Sequence, residues 1–387
     1  MPSTTVISGV QYSGIWTMQQ VNAAVAANTW PVVGPKLYSW GDNGSGQLGL
    51  GNITNRSSPT QVGLLANWSK VAVGTGFTLA IKTDGTLWSW GQGYWGSLGL
   101  GNVTYYSSPK QVGALTTWYG IATGASHAIA TKTDGTLWAW GKNTGGQLGL
   151  GDVTNRSSPI QVGALTTWLS TACGPYFSLA TKTDGTLWSW GNNNFGQLGL
   201  GNITSYSSPK QIGALTTWSK ISGFGNNGST VATKTDGTIW IWGANTQGQL
   251  GLGNTTNYSS PKQIGALTTW LNIAGGGYGT VLATTTSNTL YAWGYNNVGQ
   301  LGLGNTANRS SPVQVGALTS WGAVSVGVRA SVSIKTDGTL WAWGGGASGA
   351  LGLGNITNYS SPKQVGSLTG WLNVSAGYYT TIAVAAN

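Results

Sequence analysis

The chain has 387 residues, of which 6% are charged, 40% are hydrophobic and 64 are glycine, and its formal charge of +10 comes from 17 Lys and Arg against seven Asp and no Glu. So little charge excludes a surface built of Lys–Glu pairs and leaves stability with little dependence on salt, while 22 Trp and 15 Tyr exclude a disordered polar chain. A lone Cys173 and a lone His127 exclude a disulfide framework and a Cys/His zinc site; the basic residues form no run able to track phosphates, and no apolar stretch reaches the roughly 18 residues of a membrane span.

Residues 1–35 carry no charge and no copy of the pattern that follows. Trp16 to Ala27 predicts a short helix with Ile15, Met18, Val21 and Val25 as an apolar stripe, and Pro31 and Pro35 then mark a linker. The segment lacks the charged start and continuous apolar run of a signal peptide. Left free it would be sticky, so it is expected to anchor through Ile15, Trp16, Met18, Val21 and Trp30, on the rest of the chain or on a larger assembly.

From residue 36 onward the chain repeats. Trp-Gly pairs begin at Trp40, Trp90, Trp140, Trp190, Trp242, Trp293 and Trp343, spaced 50, 50, 50, 52, 51 and 50 residues apart. In the unit from Trp68 to Pro109, Val71-Ala72-Val73, Thr78-Leu79-Ala80-Ile81 and Thr86-Leu87-Trp88-Ser89-Trp90 read as short strands. Asp84-Gly85 supplies a two-residue hairpin turn between the second and third, replaced in the sixth Trp-Gly repeat by Ser287-Asn288. A fourth strand is expected after Pro109, as Lys110-Gln111-Val112. Four short antiparallel strands in about 50 residues, recurring around the chain, describe the blade of a β-propeller. The expected fold is therefore all-β: a seven-bladed propeller of four-stranded antiparallel blades over residues 36–387, preceded by the 1–35 extension. In the third strand the two Trp share one side, opposed by small residues such as Ser89 and Ala139, with Ile241 the exception, so bulky and small faces of adjacent blades can interdigitate. The last copy supplies only two strands, at Trp371 to Gly377 and Tyr379 to Ala385, and Lys36-Leu37-Tyr38-Ser39-Trp40 would complete that blade and close the ring.

The succession Val71-Ala72, Gly74, Leu79-Ala80, Lys82, Asp84-Gly85, Leu87-Trp88, Trp90-Gly91 and Leu98-Gly-Leu-Gly resembles the regulator of chromosome condensation repeat, a family of seven-bladed propellers, over residues 36 to 387. The His of the family's pattern survives only as His127; Phe77, Phe177, Ser229, Thr280, Ala330 and Thr380 stand at the equivalent positions. That departure removes any case for a shared chemical role of this His.

The catalytic inventory is thin. A single His without Glu cannot assemble a triad with ease, the best acids (Asp84, Asp134, Asp184, Asp236 and Asp337) fall one per blade, and no phosphate-binding glycine loop has the required context. No enzyme, cofactor or metal is expected, backbone oxygens being the one remaining source of ligands for a hard cation. Antiparallel turns put the loops between strands one and two and between strands three and four on one face. That face carries most of the variation among copies, and aromatic and Arg residues are enriched in it as in binding hot spots. The ligand- or partner-binding candidates are Tyr94, Trp95, Tyr176, Phe195, Tyr278, Arg329, Tyr378 and Tyr379.

Ser8-Gly-Val-Gln-Tyr-Ser-Gly-Ile-Trp-Thr-Met-Gln-Gln followed by Asn28-Thr-Trp-Pro resembles leaders of glycine-rich bacteriophage structural proteins. That resemblance implies a virion-surface protein, such as a tail fibre, receptor-binding or decoration protein, anchored on a capsid or tail protein through residues 1–35. It would show its loops to a host-surface protein or glycan, as a homo-oligomer where fibre symmetry demands it, with no specific nucleic acid and no membrane insertion. The propeller family implies instead an intracellular interaction adaptor or a small-GTPase exchange factor. A free carbohydrate-binding module is the third expectation.

Overall fold

The computed structural model describes residues 5–7, 10–12, 34–64 and 66–386. Seven four-stranded antiparallel sheets make up the molecule from residue 36, besides one small hairpin pairing Thr5–Ile7 with Val10–Tyr12. That hairpin was not expected from the sequence. The predicted helix at 16–27 and the anchoring candidates Ile15, Trp16, Met18, Val21 and Trp30 lie outside the described residues.

A representative blade runs inner strand Trp68–Val73, second strand Phe77–Lys82, third strand Leu87–Gly91 and outer strand Tyr106–Gln111. The Asp84-Gly85 turn forms as expected: Gly85 sits at φ +77°, and the Asp84 carboxylate accepts from the backbone N–H of Thr86 at 2.9 Å and from its hydroxyl at 2.6 Å. The outer strand differs from expectation. It begins before Pro109, and the register jumps from Ser89↔Lys110 to Gly91↔Tyr106. The jump is a bulge, which lets a proline without an N–H sit in the edge strand. Every other blade repeats this irregularity.

The ring closes as the ends of the chain foretold. Trp371–Ala376, Thr380–Ala385, Lys36–Gly41 and Arg56–Gln61 form one sheet, with Lys36 opposite Ala385 and Gly41 opposite Thr380. We count this as the first blade and number the others in chain order, so that the inner strands starting at Trp68, Trp118, Trp168, Trp218, Trp270 and Trp321 open the second to the seventh.

The core is a circle of interfaces between blades. Leu79, Ile81 and Leu87 of the second blade pack on Ala128, Ala130 and Trp140 of the third, which is the interdigitation of large and small residues that keeps a core dense. The two Trp of the third strand have different fates. Trp90 is fully buried, edge-on to Trp68 with centroids 6.0 Å apart, and its indole N–H donates to the carbonyl of Gln47 in the preceding blade at 2.9 Å. The same donation recurs from Trp40, Trp140, Trp190, Trp242, Trp293 and Trp343. Every junction of the ring is therefore stapled by a Trp. Trp88 is only half-buried and packs on the margin of this core, edge-on to Trp68 at 6.1 Å.

Towards the axis the inner strands meet in a belt of backbone hydrogen bonds between blades, including Thr75 N–H to Ala125 O, Ala125 N–H to Pro175 O, Gly277 N–H to Gly327 O and Val328 N–H to Gly377 O. The chains approach so closely that a Cβ on Gly327 would stand 2.2 Å from the Gly377 oxygen.

Candidate interaction face

The two faces of the disc handle their polar groups differently. On the hairpin-turn face, Trp88 donates to the Thr86 hydroxyl at 2.9 Å, Thr86 donates to Asp84, and the Lys82 ammonium lies 4.6 Å from the Trp88 ring centroid. Four further blades repeat the set with Lys132, Lys182, Lys234 and Lys335. The Thr hydroxyl and N–H hold each Asp carboxyl below its usual range, and desolvation over the indole lowers each Lys, with the nearby Asp opposing. These motifs are complete in themselves: cation on ring, ring N–H on hydroxyl, hydroxyl on carboxylate.

The other face is shaped by side-chain amides rather than charges. In the first blade the loop between strands three and four folds around buried Asn43 and Gln47. The Asn43 carbonyl oxygen accepts from Leu48 N–H, Asn43 N–H donates to Asn55, and the Gln47 carbonyl oxygen accepts from Ser45 N–H, all at 2.8–2.9 Å. This accounts for a fold with so little charge: amides satisfy the buried loop backbone. Gln147, Gln197, Gln249 and Gln300 repeat the acceptance. Two blades lack the Gln, with Ser97 and Ala350 in its place, and in both the residue two positions earlier adopts a left-handed backbone: Trp95 at φ 59° and Ser348 at φ 56°. Trp95 is thus presented on a strained turn because the loop has lost its amide anchor.

The eight binding candidates fall into two groups. On the second to fourth blades, Tyr94 lies 6.1 Å from Trp95 and 6.0 Å from Tyr105, and the Lys142 ammonium lies 5.5 Å from the Trp95 ring and 5.7 Å from Tyr176. Tyr94, Trp95, Tyr105 and Tyr176 are all exposed, 56% in the case of Tyr94. Phe195 is half-buried and shares a recess of about 200 Å³ with Tyr176. Lys142 comes from a three-to-four loop and Tyr176 from a one-to-two loop, so their contact places both loop sets on one face, as expected.

On the sixth, seventh and first blades, Tyr278 packs 5.4 Å from Tyr295, the Arg329 guanidinium lies 5.4 Å from the Tyr278 ring, and Tyr378 stands edge-on to Tyr379 at 4.6 Å. Tyr278 beside it raises the guanidinium; desolvation first, then Tyr278, raises the Tyr378 phenol, with Arg329 opposing. Lys142, Tyr176, Val328 and Tyr378 border the mouth of a central cavity of about 750 Å³ lined by the inner strands.

Tyr105, Tyr295 and Lys142 belong to these groups without being among the eight candidates. Tyr105 had a readable signal. It stands where Asn55, Asn155, Asn257, Asn308 and Asn358 bond back to the loop, so an aromatic there is released outward, and its hydroxyl accepts from Gln92 at 2.9 Å.

His127 is fully buried, its Nε2 3.0 Å from the Ser178 hydroxyl, which itself donates to the Gln147 carbonyl. With the hydroxyl's proton committed, Nε2 carries the hydrogen and donates. Burial pushes the imidazole down to about 3, so it is neutral. It takes the place that Phe77 and Phe177 take in their blades, each aromatic lying over the glycine three residues before it. Burial likewise pushes the Cys173 thiol up to about 12. Among the described residues no three His, Cys, Asp or Glu come together as metal ligands, and no helix is long and apolar enough to cross a membrane.

Comparison with known proteins accords with this architecture. Over 87 residues the chain is 34% identical to the ultraviolet-B receptor UVR8 of Arabidopsis thaliana, covering 22% of this chain and 20% of that protein. Over 83 residues it is 41% identical to protein RCC2 of Mus musculus, covering 21% of this chain and 16% of that one. The matched stretches thus span a fifth or less of these relatives. Among solved structures, human WBSCR16 superposes with a TM-score of 0.80 at 21% identity, covering 91% of this chain and 99% of that one. Prp20p from Saccharomyces cerevisiae, described for its binding to Gsp1p and histones, gives 0.81 at 20%, covering 92% of each. At these identities the likeness is one of fold. The regulator of chromosome condensation (RCC1) repeat profile matches seven times, at residues 36–81, 84–131, 134–181, 184–229, 236–283, 287–334 and 337–384, and the chain belongs to that family.

Proposed function

We propose that the chain is a non-enzymatic interaction adaptor whose propeller engages a protein partner through the face bearing Tyr94, Trp95, Tyr176, Phe195, Tyr278, Arg329, Tyr378 and Tyr379. One observation carries this reading. On the hairpin-turn face the Lys, Trp, Thr and Asp side chains satisfy one another, whereas the loop face exposes aromatic groups beside Lys142 and Arg329, and neither cation has an ion pair among the described residues. Rigid aromatics with cations are what anchor protein interfaces.

The family relatives favour the adaptor over the virion-surface protein. Nothing among the reported relatives supports a virion role, and the anchoring candidates Ile15, Trp16, Met18, Val21 and Trp30 on which it depends lie outside the described residues. A narrower version, exchange on a small GTPase, draws on family membership and on the described binding of Prp20p to Gsp1p. Binding to histones sits poorly with a net charge of +10, because two basic proteins repel at low salt.

The test is affinity capture from the source cells with the full chain and with a Trp95→Ala/Tyr378→Ala variant, followed by nucleotide release from any GTPase recovered. A partner held by the wild type and lost by the variant is expected. Identical capture by both, at unchanged thermal stability, would remove the loop face from the proposal. Faster nucleotide release would establish the exchange factor, and glycan-dependent retention would shift the function to carbohydrate binding.

A further inference from the structure

The widest departure from the repeat falls at the junction of the fourth and fifth blades, on the loop face. Trp190 and Trp242 are 52 residues apart where the three preceding spacings are 50. The added length lies between the first two strands of the fifth blade, where Asn226 and Asn227 form the tip of a turn closed by Gly228 N–H to Gly225 O at 2.9 Å. This turn sits against the fourth blade: a Cβ on Gly228 would stand 2.7 Å from Gln197 Nε2. Within the fourth blade, Asn192 N–H donates to Tyr176 O at 3.0 Å and so joins its two loops. The three loops enclose the recess of about 200 Å³, whose wall includes Tyr176, Asn192, Asn194, Phe195, Asn226 and Asn227.

The chemistry of this recess is amide and aromatic. Gln197 Nε2 donates to Asn192 Oδ1 at 2.9 Å, and Asn194 N–H reaches the same oxygen at 3.3 Å, so Asn192 is held by its oxygen and keeps its amide nitrogen free to donate. The side-chain amides of Asn194, Asn226 and Asn227 bond to nothing among the described residues, and all three residues are exposed, as is Tyr176. No other blade has this set: where the fourth has Asn192, Asn194 and Phe195, the first has Asp42, Gly44 and Ser45 and the fifth has Ala244, Thr246 and Gln247. None of the described residues in the wall is charged, so an ionised ligand would give up hydration there without a counter-charge. A recess of about 200 Å³ is also smaller than the roughly 300 Å³ or more that a drug-sized molecule fills, and suits a single ring.

We propose that this recess binds one pyranose ring of a saccharide, with the apolar face of the sugar against Tyr176 and Phe195 and its hydroxyls bonded to the carboxamides of Asn192, Asn194, Asn226 and Asn227. A carboxamide offers two N–H donors and an acceptor oxygen, and a hydroxyl both donates and accepts, so a neutral polyol satisfies such a wall in either sense. Because the amides come from two blades, hydroxyls on opposite edges of one ring are met together. The electron-rich faces of Tyr176 and Phe195 match the C–H groups that a pyranose presents on its apolar side. The inference goes beyond the protein-interaction reading and does not depend on it, since Trp95 and Tyr378, on which partner capture is tested, do not line the recess.

The test is saturation-transfer NMR of the full chain with the methyl glycosides of glucose, galactose, mannose and N-acetylglucosamine, and with adenosine as a neutral ring of another class. At least one glycoside is expected to bind with a Kd on the order of 1 mM. Asn192→Ala copies Ala244 of the fifth blade and Phe195→Ser copies Ser45 of the first, so the fold tolerates both residues at these places. Each variant is expected to weaken the glycoside about fivefold or more at unchanged melting temperature. A glycoprotein and its enzymatically deglycosylated form distinguish the sources: retention of the first alone would mean that the ring is read on a displayed glycan, and glycoside binding without retention would mean that it is read as a free saccharide. Absence of binding by all four glycosides, binding that survives both variants, or stronger saturation transfer to adenosine overturns the sugar site. Partner capture that still depends on Trp95 and Tyr378 would in that case leave the interaction reading standing.

Discussion

The two faces of the disc are made by the same strands, yet one repeats its residues almost unchanged around the ring and the other does not. On the hairpin-turn face the repeated residues bond to one another, Lys over Trp, Trp to Thr, Thr to Asp, so that repetition there records a structural requirement met in the same way in five of the seven blades. On the loop face the backbone is held by buried Asn and Gln, which frees the neighbouring positions to vary. Tyr94, Trp95, Tyr105, Lys142 and Tyr176 occupy those freed positions. The contrast teaches that in a repeat protein the departures from the repeat carry more information about function than the repeat does.

The contrast breaks most visibly at the tryptophans. Trp190 is fully buried and staples its blade to the Gln147 carbonyl, whereas Trp188, two residues earlier, is half-buried beneath Lys182. Trp190→Ala is expected to cost about 3–5 kcal/mol and Trp188→Ala clearly less, measured by denaturant unfolding of each variant. Equal losses would mean that the hairpin-turn face contributes as much as the inter-blade core.

Acid should reveal the buried His127. Its folded value, about 3, lies below the unfolded value near 6.5, so below pH 6.5 the unfolded chain binds a proton that the folded chain refuses. Stability contributed by the neutral imidazole is complete above that pH and is lost as pH falls towards 3, at about 1.4 kcal/mol per pH unit. The Asp carboxyls, also held low when folded, add their losses only nearer pH 4. His127→Phe, which copies Phe77 and Phe177, is expected to flatten the stability curve between about pH 6 and 4.5. A variant with an unchanged slope there would show that His127 is accessible to protons.

At the axis a smaller effect is expected. Gly327→Ala would press a methyl group on the Gly377 carbonyl and should cost about 1–3 kcal/mol. Gly44→Ala, whose nearest neighbour would be the Asp42 carboxylate at 4.0 Å, should cost little. Comparable melting temperatures for the two would mean that the central belt yields to crowding.

Much of this was legible in the sequence, because every blade offers the same evidence again. The spacing of the Trp-Gly pairs, the Asp-Gly turns and the incomplete last copy specified the blades, the ring and its closure. The outer strand was misjudged because a proline reads as a boundary, and only the register shows the bulge that accommodates it. The binding candidates were recognised as variable aromatic and basic residues, but their division into two groups depends on contacts between blades, such as Lys142 with Tyr176. The predicted leader helix lies in a part of the chain that the structure leaves undescribed.

Trp95 offers the mildest and most discriminating comparison. The loop holding it has lost the Gln that elsewhere fixes the backbone, and it adopts a left-handed turn that costs a non-glycine residue about 1 kcal/mol. Trp95→Gly should therefore raise stability by about that much, while weakening partner capture through the loss of an exposed anchor. Ser97→Gln should act from the other direction: a restored amide oxygen would accept the Trp95 N–H, pull the turn back to the form seen at Ser45 and Phe195, and move the indole away from Lys142. Binding lost in both variants, with stability unchanged or improved, would show that the strained turn is kept for presentation of Trp95. Binding retained in both would place the contact on the other aromatic and basic residues of the face, Tyr94, Tyr105 and Tyr176 or the Tyr278 and Arg329 group.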